Sequence, residues 1–198
     1  MSAPRRARVQ RATTETKVDV ELVLDGTGRH DVVTPLPFLS HMLEQLARHG
    51  RFDLVLRAEG DVHIDGHHTT EDVGIVLGRA FAESLGDRGG IRRYGDATIP
   101  MDEALCQVAV DFGGRAFFVD RLGLPKAKVG EFDVELGSVF LEAFARSAQL
   151  NLHARRLEGE NLHHVLEGTF KALARALADA VAADPRAGGV PSTKGTLT

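Results

Sequence analysis

The segment His67-His68-Thr69-Thr70-Glu71 decides how this chain is organised, because its pattern recurs as His163-His164-Val165-Leu166-Glu167. Each copy opens a stretch whose apolar residues fall at helical spacing. On a helix, a glutamate three and four residues after two histidines lies on one face with them. Imidazole and carboxylate groups are common ligands of transition metals. A lone copy would fit a solvated surface pair equally well, but two copies predict a metal site.

Apolar spacing around the two copies predicts the same order of elements twice. Alternation predicts strands over residues 18–24, 30–34 and 52–56 and a short strand at 62–64, then over 106–112, 116–119 and 150–154. Helical spacing predicts helices over 39–46, 73–85, 136–144 and 166–181. Ser40 is a candidate cap and Gly50 the stop of the first helix, Thr69 and Asp72 form a candidate capping box, and Asn161 is the candidate cap of the last helix.

The repeated order predicts an α+β fold that is an internally duplicated strand-strand-helix-strand-helix unit, with helices packed on one face of each sheet. We expect residues 1–90 to form the first half and residues 91–198 the second, in one compact fused unit. Each half carries a single His-His-x-x-Glu motif. A complete metal site therefore requires that the halves cooperate or that subunits pair.

Composition narrows the class of protein. With 43% hydrophobic and 26% charged residues, the chain is typical of a globular protein, and its net charge of −4 argues against nucleic-acid binding. It has no apolar run of about 18 residues, so no membrane span is expected. The basic stretch from Met1 to Arg11 lacks the apolar run of a secretory signal. Cys106 is the only cysteine, which excludes an intrachain disulfide and favours the cytoplasm.

Four motifs together resemble imidazoleglycerol-phosphate dehydratase, and the resemblance runs from about Arg8 to Gly195. The motifs are Pro37-Phe38-Leu39-Ser40-His41-Met42-Leu43, Ile64-Asp65-Gly66-His67-His68-Thr69-Thr70-Glu71-Asp72, Asn161-Leu162-His163-His164-Val165-Leu166-Glu167 with Phe170-Lys171-Ala172, and Pro191-Ser192-Thr193-Lys194-Gly195. The resemblance implies a duplicated α+β fold of the ribosomal protein S5 domain 2-like type. It implies a lyase of histidine biosynthesis that dehydrates imidazole glycerol phosphate to imidazole acetol phosphate through a metal-bound imidazolate.

The resemblance also implies two Mn²⁺ ions per site, placed between subunits of a homo-oligomer of twenty-four chains. One ion would be held by His41, His68, His163 and Glu167, and the other by His67, Glu71, His164 and a further histidine. At the position of that histidine this chain has Val139. Water, substrate or another residue must then complete the second site, and His153 is a candidate by residue type alone. The ligands do not exclude Zn²⁺ or Fe²⁺.

Other positions are assigned to substrate by the same resemblance. Glu15 is the first candidate for proton transfer, with Asp102 as the second, and each also fits an exposed strand carboxylate. Arg93, Arg115, Ser192 and Lys194 match phosphate-binding positions, and Glu15, His41 and His49 are expected to contact the substrate as well.

Two other functions remain open from the residues. A two-metal phosphoesterase would use the same imidazoles, although such sites usually contain more aspartates than these motifs provide. A structural assembly held together by metal would need no substrate, but the cationic tail motif favours a phosphorylated ligand.

Overall fold

Two four-stranded sheets, one from each half of the chain, are the frame of the molecule in the computed structural model, which describes residues 4–197. Met1 to Ala3 and Thr198, at the ends of the two predicted halves, lie outside the described residues. The first half contains β1 (Arg6–Ala12), β2 (Thr16–Val23), β3 (His30–Val33), α1 (Pro37–Gly50), β4 (Asp53–Gly60) and α2 (His67–Leu85). The second contains β5 (Tyr94–Met101), β6 (Ala104–Asp111), β7 (Phe117–Arg121), the hairpin of β8 (Lys128–Val129) and β9 (Phe132–Asp133), α3 (Leu136–Ala148), β10 (Asn151–Glu158) and α4 (Leu162–Val181).

The two sheets have equivalent strand orders, β1-β2-β4-β3 and β5-β6-β10-β7. The duplicated α+β architecture predicted from the sequence is confirmed, and each half adds one strand, β1 or β5, before the predicted unit. The returning strand of each half does not pair with the strand before it. β3 lies parallel to β4 and β7 parallel to β10, because β2 and β6 already have neighbours on both edges. Parallel neighbours need a crossover connection, which helices α1 and α3 supply.

The helices of the two halves pack against each other between the sheets, α2 against α3 and α1 against α4. The chain forms one continuous core there, with phenylalanines such as Phe81, Phe140 and Phe144 fully buried. Gly74 and Gly78 lie one helical turn apart on the face of α2 that meets α3. A Cβ at Gly74 would lie 2.8 Å from the carbonyl oxygen of Phe140, so only glycine permits this spacing of the two backbones.

Three local predictions were wrong: the strand at 62–64, the capping box of α2 and the Ser40 cap of α1. Residues 62–64 form a turn, because Asp61 accepts the backbone N–H of Ile64 and closes the chain on itself. Helix α2 begins at His67 after Gly66, so the capping box of Thr69 and Asp72 does not form, and both side chains are buried.

Ser40 likewise lies inside α1, which begins at Pro37 after Leu36. Its hydroxyl oxygen accepts a hydrogen bond from the backbone N–H of Thr34 instead of capping the helix. Within residues 4–197, none of the helices is long and apolar enough to cross a membrane.

Candidate metal centre and phosphate cavity

The second motif is fixed by the start of helix α4. Asn161 accepts the backbone N–H groups of His163 and His164 with its side chain, as predicted for an N-cap. Both histidines therefore stand in the first turn, and Glu167 follows one turn later on the same face. His163 Nε2 lies 3.1 Å from Glu167 Oε2, so the helical spacing brings imidazole and carboxylate into contact.

Helix α1 adds a third donor to this pair. His41 Nε2 lies 3.4 Å from the same Glu167 oxygen, and the three donor atoms lie within 4.8 Å of one another. The ring of Phe38, one turn before His41, packs edge-on against His163 with centroids 5.1 Å apart. Packing of α1 on α4 thus holds two Nε2 atoms and one carboxylate oxygen at one point; we call His41, His163 and Glu167 the first cluster.

Glu167 is almost fully buried, with 7% of its surface exposed. Burial acts to raise the pKa of this carboxyl, but the hydrogen bond and charge of Lys171, with contributions from His163 and His41, lower its pKa overall. Lys171 Nζ lies 2.7 Å from Oε1, while the histidines approach Oε2. The carboxylate is therefore held ionised, with one oxygen on the ammonium and the other on the imidazoles.

A second group of donors surrounds His68. His68 Nδ1 lies 3.0 Å from Asp61 Oδ2 and 3.8 Å from Glu15 Oε2, and the three residues form the second cluster. The hydrogen bond from His68 lowers the pKa of Asp61, and the same bond raises the pKa of His68. Glu15 is exposed in the turn before β2, so its carboxylate faces solvent beside the imidazole.

His164 has a carboxylate partner of its own. Its Nδ1 lies 2.7 Å from Glu103 Oε2, and its Nε2 lies 3.7 Å from Asp102 Oδ2. The hydrogen bond between His164 and Glu103 lowers the pKa of Glu103 and raises the pKa of His164. The turn between β5 and β6 thus supplies Asp102, a sequence candidate, on one side of the ring and Glu103 on the other.

The structure does not bring all the predicted ligands together within one chain. His67 and Glu71 are exposed on α2 and belong to neither cluster, and His68 is in the second cluster rather than with His41. Val139 is half-buried and packs on the core. His153 is exposed on β10 and joins neither of the clusters formed by the described residues.

The four predicted phosphate residues, in contrast, all line one cavity of about 560 Å³. It is bounded by Arg93, Tyr94, Gly113, Arg115, Pro191, Ser192, Thr193, Lys194, Thr196 and Leu197. Arg93 donates to both oxygens of Asp111 at 2.7 and 3.1 Å and to the carbonyl oxygen of Pro191. Arg115 and Lys194 are exposed at its rim. Cations and hydroxyl groups that surround one concave site are suited to a phosphate dianion.

His49, the remaining predicted substrate contact, lies half-buried in the last turn of α1. Burial lowers the pKa of His49, and the positive charge of Lys171 acts in the same direction. Its Nε2 lies 3.2 Å from Gln45 Oε1. Burial and nearby positive charge therefore both favour the neutral form of the His49 ring.

Three residues of the site were not predicted from the sequence: Asp61, Glu103 and Lys171. Each of the three has a signal in the sequence. Glu59-Gly60-Asp61 parallels Glu158-Gly159-Glu160, and Glu103 stands before β6 as Glu15 stands before β2. Lys171 lies four residues after Glu167, at the spacing of a helical ion pair.

The donors of the first cluster fit a divalent transition metal. Two imidazole Nε2 atoms and an ionised carboxylate are a ligand set that Mn²⁺, Zn²⁺ and Fe²⁺ all accept. Because the Glu167 carboxylate is already ionised and its Oε2 faces both rings, no proton need leave it when a cation binds.

Comparison with known proteins shows the family of the chain. The family model described as imidazoleglycerol-phosphate dehydratase matches residues 34–177. The imidazoleglycerol-phosphate dehydratase of Acidithiobacillus ferrooxidans is 54% identical over 196 residues, which is 98% of each chain. The protein of the same name from Gluconobacter oxydans is 52% identical over 198 residues and the full length of both chains.

Solved structures agree as well. Imidazoleglycerol-phosphate dehydratase from Staphylococcus aureus superposes with a TM-score of 0.79 at 37% identity, covering 90% of this chain and all of that one. The Pyrococcus furiosus enzyme, solved in complex with (S)-C348, superposes with a TM-score of 0.82 at 36% identity, covering 95% and 99%. The fold and these relatives therefore define the chain as a hydro-lyase. The chain belongs to the imidazoleglycerol-phosphate dehydratase family, whose enzymes act in histidine biosynthesis.

Proposed function

We propose that this chain dehydrates imidazole glycerol phosphate to imidazole acetol phosphate with the help of bound divalent cations, Mn²⁺ first among them. The observation that carries the proposal is the first cluster. Two imidazole nitrogens and one carboxylate oxygen from two different helices converge on one point, although no sequence proximity forces His41 to meet Glu167. A metal supports this reaction because a Lewis acid bound to the substrate's imidazole lowers the pKa of its N–H group.

The reaction breaks a C–H bond and a C–O bond on neighbouring carbons and releases water, and the resulting enol becomes the ketone. The chain must therefore accept one proton from carbon and deliver one to the leaving hydroxyl group. Glu15 is suited to the first task because its carboxylate is exposed and lies 3.8 Å from His68 Nδ1. Asp102 lies 3.7 Å from the other ring nitrogen, Nε2, of His164 and is the second candidate.

The phosphate cavity fixes the other end of the substrate in this proposal. Arg115 and Lys194 provide charge at its rim, and Ser192 provides a hydroxyl donor. Arg93 is already paired with Asp111, so its role is to shape the cavity and to hold the tail through the carbonyl oxygen of Pro191.

The proposal includes a homo-oligomer in the cytoplasm, with twenty-four subunits as in the family that the motifs resemble. The separation of the two clusters supports the oligomer. His68, assigned with His41, His163 and Glu167 to one ion, makes its contacts elsewhere in its own chain. The fourth ligand of the first ion then comes from another copy.

Metal removal and reloading tests the proposal directly. Protein stripped with a chelator should lose dehydration and regain it with Mn²⁺, and product should form without release of inorganic phosphate. His163→Ala should lose both metal and activity, because one of few ligands is gone. The matched variant His30→Ala, exposed on β3 and in neither cluster, should keep both. Phosphate release, or full activity in the stripped protein, would reject the proposed reaction.

Assembly should respond to metal as well. If the ligands of one ion come from two chains, metal binding favours the assembled state by mass action. Light scattering should show a smaller particle after chelation and recovery with Mn²⁺. An unchanged particle after complete metal removal would place all ligands of each ion within one subunit.

A further inference from the structure

The second histidine of each motif is held by a carboxylate at the same ring nitrogen. His68 Nδ1 meets Asp61 Oδ2 at 3.0 Å, and His164 Nδ1 meets Glu103 Oε2 at 2.7 Å. The two carboxylates come from different places: Asp61 follows β4, and Glu103 lies in the turn before β6. The same contact has therefore been built twice from non-equivalent positions of the duplicated fold.

The chemistry of this contact fixes the state of the ring. An ionised carboxylate only accepts hydrogen bonds, so Nδ1 must carry the proton. In the neutral ring the free electron pair then lies on Nε2, on the far side from the carboxylate. A second-sphere carboxylate of this kind orients a histidine and makes it a more basic metal ligand.

Glu103 is itself anchored to the helix that carries His164. Its other oxygen accepts the backbone N–H of Asn161 at 3.1 Å, and Asn161 in turn caps α4. One carboxylate thus ties the β5–β6 turn to the start of α4 and sets the orientation of the ring.

The two halves of the chain differ in which carboxylate contacts the second histidine of the motif. By position before β2 and β6, Glu15 and Glu103 are counterparts, and by the Glu-Gly-acid pattern Asp61 and Glu160 are counterparts. In the first half Asp61 holds the ring and Glu15 stays 3.8 Å away. In the second half Glu103 holds the ring, while Glu160 is exposed and makes no hydrogen bond or ion pair among the described residues.

Building on the proposed function, we propose that Asp61 and Glu103 are positioning residues that present Nε2 of His68 and His164 to metal. This division of tasks leaves Glu15, and not its counterpart Glu103, available for proton transfer. In chemical terms, each motif is a carboxylate–histidine pair aimed at a divalent cation.

Calorimetric titration of Mn²⁺ into stripped protein tests the proposal. Glu103→Gln keeps the shape of the side chain, but one carboxylate oxygen becomes an NH₂ group. The two hydrogen bonds from Asn161 and His164, which use different oxygens, can then no longer both be accepted. It should bind Mn²⁺ about 10–100-fold more weakly, the usual cost of losing such a partner. Asp61→Asn tests the other pair in the same way and serves if Glu103→Gln does not fold. The matched control is Glu160→Gln, which removes the same charge beside the same helix start and should bind like the wild type.

Visible absorption of bound Co²⁺ provides a readout that a purely structural role would not change. The spectrum should differ from wild type in Glu103→Gln and Asp61→Asn but not in Glu160→Gln. Glu15→Gln, in contrast to the two positioning variants, should lose turnover and keep the wild-type Mn²⁺ affinity. Wild-type affinity and spectra in both positioning variants would overturn the inference while leaving the dehydratase proposal intact. A wild type that binds Mn²⁺ but forms no product would reject that proposal and not this one.

Discussion

The packing of α2 on α3 can be tested with two substitutions of the same kind, Gly78→Ala in α2 and Gly168→Ala in α4. Both positions are interior to helices. Alanine at such a position favours the helix by about 1 kcal/mol relative to glycine. If helix propensity alone mattered, both variants would be more stable than the wild type by the same amount.

The surroundings of the two positions differ. A Cβ at Gly78 would lie 2.6 Å from the carbonyl oxygen of Phe144 and 2.9 Å from the amide nitrogen of Ala148, both backbone atoms of α3. Backbone atoms cannot rotate away, so the helices must separate, at an overpacking cost of about 3 kcal/mol, the upper end of the usual range. The net effect expected for Gly78→Ala is a loss of about 2 kcal/mol. At Gly168 the nearest atom is Cys106 Sγ at 3.5 Å, an ordinary contact, and a gain of about 0.5–1 kcal/mol is expected.

Urea unfolding of the metal-free protein, followed by circular dichroism, measures both effects. Protomer concentration must be the same in each experiment, because assembly shifts apparent stability. The midpoint should fall for Gly78→Ala and rise for Gly168→Ala. A rise in both would show that α2 and α3 are spaced more widely than described, and a fall in both would show that Gly168 is as crowded as Gly78.

Three further effects are expected. Asn161→Ala should cost about 1 kcal/mol because the α4 cap is lost, whereas Asn161→Asp, which keeps the acceptor, should unfold at nearly the wild-type urea concentration. Burial acts to raise the pKa of Asp53, but hydrogen bonds from Thr27 and Arg29 lower it overall. The ionised Asp53 therefore stabilises the folded protein fully above the unfolded pKa of about 4. This stabilisation is lost as the pH falls through the lower folded pKa. Asp53→Asn should therefore be less stable at pH 7 and approach the wild type in acid; a constant difference at every pH would contradict this. A double-mutant cycle of Glu167→Gln and Lys171→Met should give a coupling energy of about 1–3 kcal/mol, because both side chains are largely buried, at 9% and 18% exposure. Additive effects of the two substitutions would show that the 2.7 Å ion pair contributes little to stability.

The parts of the fold that were predictable are those in which one sequence feature fixes one contact. Asn161 stands directly before an apolar helical face, so its role as a cap follows from local hydrogen bonding. The four helices were found because each buries a continuous stripe of apolar side chains. Strand β1 was missed because Val9 is its only buried residue, and Arg11 on the same inward face breaks the apolar alternation. Strand β5 was missed because Pro100 interrupts an otherwise half-exposed pattern.

Strand neighbours were less predictable than strands. Residues 30–34 were expected to return beside β2, since a turn signal precedes them. That pairing is excluded because β2 already has β1 on one edge and β4 on the other, and β3 is left to the outer edge of β4. Such competition between strands depends on contacts distant in sequence, which local patterns do not contain.

The site shows the same limit. Contacts within a motif, such as His163 with Glu167, follow from helical spacing alone. Contacts between elements, such as Glu103 with His164, depend on how the β5–β6 turn meets α4. Asp102 is the residue of that turn that the sequence predicted, and the structure places its neighbour Glu103 closer to the imidazole of His164.

One chain does not bring together the four ligands that the resemblance assigns to the first ion. In the part of the chain that the structure describes, the two donor clusters have no residue in common. His68 belongs to the cluster of Asp61 and Glu15, because the start of α2 lies beside the turn before β2. The first cluster offers only His41, His163 and Glu167, and a tetrahedral or larger coordination shell requires a donor from outside it. Under the proposed assembly, that donor is the His68 of another copy, held in the correct tautomer by its own Asp61. Metal affinity should then depend on protomer concentration, which no arrangement of ligands within a single chain would produce.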